Sequence, residues 1–175
     1  MFTRANAYDR YMGRWSRMLA ARFVDFAEVA ESDEVLDVGC GTGALSLAIR
    51  AARKGTRVRG VDPAADFVDE AKRRGAGDEQ VRFDVGNAQE LDLPDASFDK
   101  ALSSLVLNFV PEPKRALAEM IRVTKPGGLL AATAWDYRDA NFSQVIVGVS
   151  PDPADNERMT AWARDYWLAM HPYSA

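Results

Sequence analysis

One cysteine, Cys40, and one histidine, His171, stand in a chain of 175 residues. A lone thiol excludes an internal disulfide and any cysteine-rich metal site. A lone imidazole leaves almost nothing for a histidine zinc site or a Ser-His-Asp relay, so no metal site is expected. No apolar run approaches membrane-spanning length, and the opening MFTRANAYDRYMGRWSRMLAARF is broken by arginines where a signal peptide needs an apolar core. A basic excess is missing too: 22 Lys and Arg stand against 26 Asp and Glu, for a formal net charge of -4. That balance argues against a nucleic-acid partner. Together these absences lead to the expectation of a reduced, cytoplasmic protein with no membrane span.

What is present is enough apolar material, 47% of the chain, for one compact domain with its own core. Trp15, Leu19, Phe23 and Phe26 share a helical face, predicting amphipathic helix over roughly residues 8–30. Strands are predicted at residues 35–38, 57–61, 80–85, 98–103 and 129–135. Helices are predicted between them, around Leu45–Ala52, Phe67–Ala71 and Leu117–Thr124, the last closed by Lys125-Pro-Gly-Gly128. The basic runs Arg50–Lys54 and Lys72–Arg74 read as solvated helix ends. Alternating strand and helix predicts an α/β fold, a mostly parallel sheet between helical layers. Ligands of such sheets sit beyond the carboxyl ends of the strands. Gly39–Gly43, Asp62, Asn87–Ala88 and Ser103–Leu105 should therefore converge on one crevice.

The stretch EVLDVGCGTGALSLAIR, Glu34 to Arg50, carries three glycines at alternate positions between strand and helix. A phosphate-gripping loop needs Gly-Lys-Ser/Thr, whereas Gly43 is followed by Ala44-Leu45. The dinucleotide pattern G-x-G-x-x-G/A is formally met by Gly39, Gly41 and Ala44. Two features oppose it. Gly43 makes the turn tighter than a pyrophosphate cradle requires, and Asp37 places a carboxylate where a pyrophosphate would be repelled and a positively charged ligand welcomed.

Asp37-Val-Gly-Cys-Gly-Thr-Gly43 resembles motif I of class I S-adenosylmethionine-dependent methyltransferases. Gly60-Val-Asp-Pro-Ala64, Gly86–Asp99, Ser103–Pro113 and Lys125–Gly128 follow in that family's order and spacing. The opening Tyr8–Ser16 is similar to the small-molecule branch that includes the quinone-biosynthesis enzymes. The resemblance implies a Rossmann-like three-layer sandwich, S-adenosyl-L-methionine as cofactor and a small-molecule methyl acceptor. It implies that the backbone at Gly39 holds the methionine amino group with Asp37 nearby, and that Cys40, Gly41 and Gly43 complete the loop. Asp62, followed by Pro63, would accept the ribose hydroxyls; its alternative is a helix N-cap. Asn87, where the family usually has aspartate, would accept from the adenine amino group, and Ala88 would offer its N–H to the ring. Ser104 and Leu105 would face the methionine portion and the methyl donor. Tyr11 and Arg14 would close over the methionine end, the alternative being that Tyr11 packs and Arg14 is solvated. Asn108 replaces a histidine common in relatives, and no catalytic base is assigned.

The resemblance divides the chain at residue 136: lid helices in 1–32, a cofactor-binding core in 33–136, and an atypical strand-helix tail in 137–175. The family's C-terminal strand pair is expected to be missing, which would bare the fifth strand for self-association. From Arg138 the chain resembles instead a C-terminal piece of berberine-bridge-type flavin oxidases, through Gln144–Gly148, Asp152-Pro153, Thr160–Trp162 and His171–Ser174, without that family's flavin-binding domain. Three functions remain open at this point: methyl transfer, a cofactor-binding module without turnover, and an NAD(P)-linked oxidoreductase.

Overall fold

The structure is a computed structural model, which describes residues 13–136 and 143–149. The described elements run α1 (Gly13–Phe26), β1 (Glu34–Val38), α2 (Ala44–Ala52), β2 (Arg57–Asp62), α3 (Ala65–Arg74), β3 (Val81–Val85) and β4 (Phe98–Ser104). A 3-10 turn (Leu107–Phe109), α4 (Pro113–Val123), β5 (Thr124–Asp136) and β6 (Ser143–Val149) follow. The strands form one sheet in the order β3-β2-β1-β4-β5-β6, parallel except for β6. The expected mostly parallel sheet between helical layers is present.

Neighbouring residues of each strand point to opposite faces, and here both faces are covered. Val35 and Leu102 join Val58, Phe83, Leu45 and Ile49 in one core, under α1, α2 and α3. Leu36, Val38, Ala101 and Leu130 join Ala116, Met120 and Val123 in the other, under α4. The sheet centre is therefore dry on both sides.

Helix α1 belongs to the first of these cores. Leu19, Ala20, Phe23, Val24 and Ala27 are buried, whereas Trp15 is 52% and Phe26 46% exposed. The predicted stripe is thus rotated. At roughly 100° per residue, the buried set centres between the rows of Leu19 and Ala20, about 90–110° from Trp15 and Phe26. The connection after α1 is tied to the start of β2. Arg53 Nε donates to the Val29 carbonyl at 2.8 Å and Thr56 Oγ1 to the Ala30 carbonyl at 2.7 Å.

Two further expectations are corrected. Arg50 is not solvated: it is 7% exposed, and its guanidinium donates to the carbonyls of Lys54 and Thr56 and to both oxygens of Asp78. It caps the carbonyl end of α2 from inside, where a cation also suits the helix dipole. Lys125–Gly128 does not stand between helix and strand. Thr124 already pairs with Phe98 and Leu129 with Lys100, so the segment is a bulge within β5.

Beyond β5 the described residues hold one antiparallel strand, β6, registered from Leu130 opposite Val149 to Asp136 opposite Ser143. The fifth strand is therefore not an edge, which corrects the expectation that it lies bare. The remaining tail likeness, at Asp152-Pro153, Thr160–Trp162 and His171–Ser174, lies outside the described residues, as does Tyr11. No described helix is long and apolar enough to cross a membrane.

Candidate functional site

At the carboxyl ends of β1, β2 and β4 lies a crevice of about 300 Å³, at the lower end of the range for small-molecule sites. Asp37, Gly39, Cys40, Gly41, Asp62, Pro63, Asn87, Ala88, Ser104 and Leu105 all line it. The predicted convergence is thus observed for residues drawn from four separate stretches of chain. Arg14 lies in the first turn of α1, next to Gly13, which lines the crevice with Ser16. Gly43 and Ser103 do not line it; the buried Ser103 hydroxyl donates instead to the Val38 carbonyl at 2.9 Å.

The glycine loop has a different reason for each glycine. Gly39 has φ +77, and a Cβ there would sit 2.4 Å from Val106 Cγ1, so protein rather than ligand forbids a side chain. Gly41, at φ +52, has nothing within 4 Å of a Cβ and is open. Gly43 instead packs at the Phe83 ring. The amides of Gly39 and Cys40 both donate to the Val61 carbonyl, at 2.7 and 3.1 Å, which folds the loop back over β2. Of the backbone groups of Gly39, the amide is thereby spent on protein, and the carbonyl is the one that can meet a ligand.

Asp37 is 1% exposed on β1. Its Oδ2 accepts the Ser46 amide at 3.1 Å and the Ser46 hydroxyl at 2.6 Å. Ser46 is the third residue of α2, whose amide has no partner within the helix, so a strand carboxylate caps the helix from outside. The other oxygen, Oδ1, is buried with no hydrogen-bond partner. Burial pushes the Asp37 carboxyl up to about 6 against the pull of Ser46, with Asp62 raising it slightly further. Helix capping accounts for Oδ2 and leaves Oδ1 unexplained. A buried acceptor without a donor, in a crevice wall, suits a ligand that brings a cationic donor.

Asp62 ends β2. Its Oδ2 accepts the Gly41 amide and its Oδ1 the Ala64 amide, both at 2.9 Å. Helix α3 is capped at Ala64, so the alternative of Asp62 as N-cap is corrected to a turn contact two residues on. A carboxylate offers about four acceptor positions, leaving about two for ligand hydroxyls. Burial raises the Asp62 carboxyl, against the lowering effect of the two amides.

Asn87 is exposed at the rim, and its Oδ1 already accepts the Gln89 amide at 3.0 Å. Ala88 behind it is buried. Much of the stretch after them docks α4: Arg122 donates to the carbonyls of Leu91 and Leu93, and Glu119 Oε2 accepts the Leu91 amide at 2.7 Å. Cys40 is buried, and burial followed by the charges of Asp37 and Asp62 pushes its thiol up, away from nucleophilic use. Among the described residues no group of three or more His, Cys, Asp or Glu could hold a metal ion.

The sequence named Leu105 as a wall residue but gave no signal of its conformation, nor of the part played by the apolar side chains that follow it. Leu105 adopts φ +60, the left-handed region that a leucine rarely enters. It is held there by its amide, which donates to the Thr133 carbonyl at 2.9 Å and to Thr133 Oγ1 at 3.1 Å, while Ser104 Oγ lies 3.1 Å from the same hydroxyl. Val106, Phe109, Val110 and Pro111 continue the wall as an apolar lip, Phe109 being 71% exposed. Asn108, although on the 3-10 turn, does not line the crevice.

The family model described as a methyltransferase domain matches residues 36–132. The malonyl-[acyl-carrier protein] O-methyltransferase of Serratia marcescens is 33% identical over 132 residues, 72% of this chain and 50% of that protein. The demethylmenaquinone methyltransferase of Renibacterium salmoninarum is 38% identical over 124 residues, 71% of this chain and 48% of that protein. The crystal structure of the [4+2]-cyclase SpnF superposes with a TM-score of 0.65 at 30% identity, covering 71% of this chain and 47% of that one. The chain spans about half the length of the curated relatives it matches. A strand-loop-helix crevice with a donorless buried carboxylate oxygen, matched over this span, assigns the chain to the class I S-adenosylmethionine-dependent methyltransferase family.

Proposed function

We propose that this chain binds S-adenosyl-L-methionine in the crevice and transfers its methyl group to a small-molecule acceptor. The observation that carries the reading is Asp37 Oδ1, a buried acceptor without a donor in the wall of the crevice. An ammonium group satisfies it, and the Gly39 carbonyl is a second acceptor for the same group. Asp62 is the partner proposed for the ribose hydroxyls. The amide of Ala88 and the rim side chain of Asn87 are proposed for the adenine. Because Asn87 Oδ1 already accepts from Gln89, it contributes weakly.

The cofactor supplies a methyl group on a positively charged sulfur, a leaving group already activated by its charge. The protein has to hold the acceptor in line and exclude water, and such positioning can supply about 7–11 kcal/mol. The apolar lip formed by Val106, Phe109, Val110 and Pro111 supports an acceptor with apolar surface beside its nucleophilic atom. The cytoplasm is the proposed setting, where the buried free thiol of Cys40 stays reduced.

A second reading is a cofactor-binding module without methyl turnover. It is favoured by the likeness to a protein titled a cyclase. Thermal-shift titration separates both readings from an oxidoreductase: S-adenosylhomocysteine should stabilise the chain and NAD should not. Stabilisation by NAD alone would overturn the cofactor. Transfer of labelled methyl from S-adenosylmethionine to a panel of small phenols, carboxylic acids and quinols then decides between turnover and binding alone.

A further inference from the structure

We propose that Ser46 is the positioning residue of the ammonium site: by holding one oxygen of Asp37 it aims the other at the crevice and couples cofactor binding to the proton on that carboxylate. This rests on the adenosyl-cofactor reading above and adds to it a residue that does not line the crevice. Ser46 is wholly buried, on α2. Both of its donors converge on Oδ2 of Asp37, at 3.1 Å from the amide and 2.6 Å from the hydroxyl, and none reaches Oδ1. The amide contact alone would complete the helix cap. The hydroxyl adds a second, shorter bond to the same atom and fixes which oxygen is spent on protein and which remains for ligand.

The surroundings leave Ser46 as the main counterweight to burial. From β2, Asp62 faces Asp37 and adds negative charge, and Cys40 in the loop carries a neutral thiol. On α2 the one basic side chain, Arg50, is committed to Asp78 at the opposite end of the helix. On β4, Asp99 and Lys100 lie at the opposite end of the strand, where Asp99 meets Lys125 and Lys100 meets Asp33. On β3, Asp84 pairs with Arg59 of β2. Asp37 Oδ1 itself meets no hydrogen-bond donor among the described residues. A proton on Asp37 occupies the oxygen the ligand needs, and the Ser46 hydroxyl bond favours the ionised form.

The test is calorimetric titration of the full chain at several pH values with two probes. S-adenosylhomocysteine carries the amino acid portion, and 5′-methylthioadenosine lacks it. For the unmodified chain, S-adenosylhomocysteine affinity should fall about tenfold per pH unit below the Asp37 value of about 6. Methylthioadenosine should not share that inflection, and whatever pH dependence it shows reports on Asp62. Ser46→Ala should move the S-adenosylhomocysteine inflection to higher pH while leaving the methylthioadenosine profile where it was. Ser46→Cys, similar in size but a weak donor, should move it the same way and serves if the alanine variant does not fold. Asp37→Asn should abolish the inflection. An unmoved inflection in the Ser46 variants overturns the proposal, and so does parallel weakening of both probes. Failure of S-adenosylhomocysteine to bind the unmodified chain at any pH overturns the cofactor reading instead.

Discussion

The amide of Gly41 donates to Asp62 Oδ2 at 2.9 Å, tying the loop after β1 to the last residue of β2. One carboxylate thus shapes the crevice and remains available to a ligand within it. Asp62→Ala should weaken S-adenosylhomocysteine about 10- to 100-fold, the equivalent of about 1.5–3 kcal/mol for a charged hydrogen bond. Asp62→Asn, which cannot accept both amides and both hydroxyls, should lose a smaller factor. Calorimetry reads both. Unchanged affinity in the alanine variant would remove Asp62 from the site.

Gly39 and Gly41 should separate stability from binding. A methyl group at Gly39 meets Val106 at 2.4 Å on a backbone at φ +77, so Gly39→Ala should lower the melting temperature strongly. At Gly41 the methyl group stands in open space, and its stability cost is that of the left-handed backbone alone, about 1–2 kcal/mol. Because Gly41 lines the crevice, Gly41→Ala should chiefly reduce cofactor affinity. Equal melting temperatures in the two variants would contradict the assignment.

This contrast marks what the sequence could and could not disclose. Alternate glycines after a buried strand announce a tight turn, and Asp62 about 20 residues on announces the crevice, because both depend on residue type and spacing. The identity of the atoms those glycines avoid depends on tertiary neighbours: Val106 for Gly39 and Phe83 for Gly43. Leu105 could not be read as left-handed, since leucine has no local preference for φ +60 and the turn is imposed by Thr133 on β5. Arg50 misled for the opposite reason. Basic residues at helix ends are usually solvated, and only the fold brings Asp78 to it.

Arg50 supplies the third prediction. Its guanidinium satisfies the carbonyls of Lys54 and Thr56 and both oxygens of Asp78. Lysine offers a point charge in place of that planar fork. Arg50→Lys should destabilise the fold by about 1–2 kcal/mol, and Arg50→Ala by about 2–4 kcal/mol because it also leaves the buried Thr56 carbonyl without that donor. Chemical denaturation measures both. A lysine variant as stable as the parent would show that charge alone suffices.

Thr133→Val tests the strained wall. The substitution keeps shape and removes the hydroxyl that receives the Leu105 amide at 3.1 Å and adjoins Ser104 Oγ. The Thr133 carbonyl still accepts the same amide at 2.9 Å, so the fold should survive with a loss of about 1–2 kcal/mol. If the Leu105 turn positions the methyl donor, methyl transfer should fall more than cofactor affinity. Equal falls in both would assign Thr133 to packing alone.

Asp37 should reveal a conflict between stability and function. Its folded-state carboxyl lies at about 6 against an ordinary value of 3.8, so the free folded chain holds that proton more tightly than the unfolded chain does. The stabilising contribution of the protonated group is complete below about 3.8 and is lost as pH rises through about 6. At neutral pH the free protein therefore carries a buried charge that costs about 3 kcal/mol. An asparagine side chain cannot ionise yet keeps an acceptor for Ser46, so Asp37→Asn should melt above the parent at about pH 8 and level with it below about pH 4. The same variant should lose most of the stabilisation that S-adenosylhomocysteine gives, because its amide turns a donor toward an ammonium. Thermal melts across pH, with and without that ligand, read both halves. A variant that melts lower than the parent at about pH 8 would make the ionised carboxylate part of the scaffold rather than a charge held for the ligand.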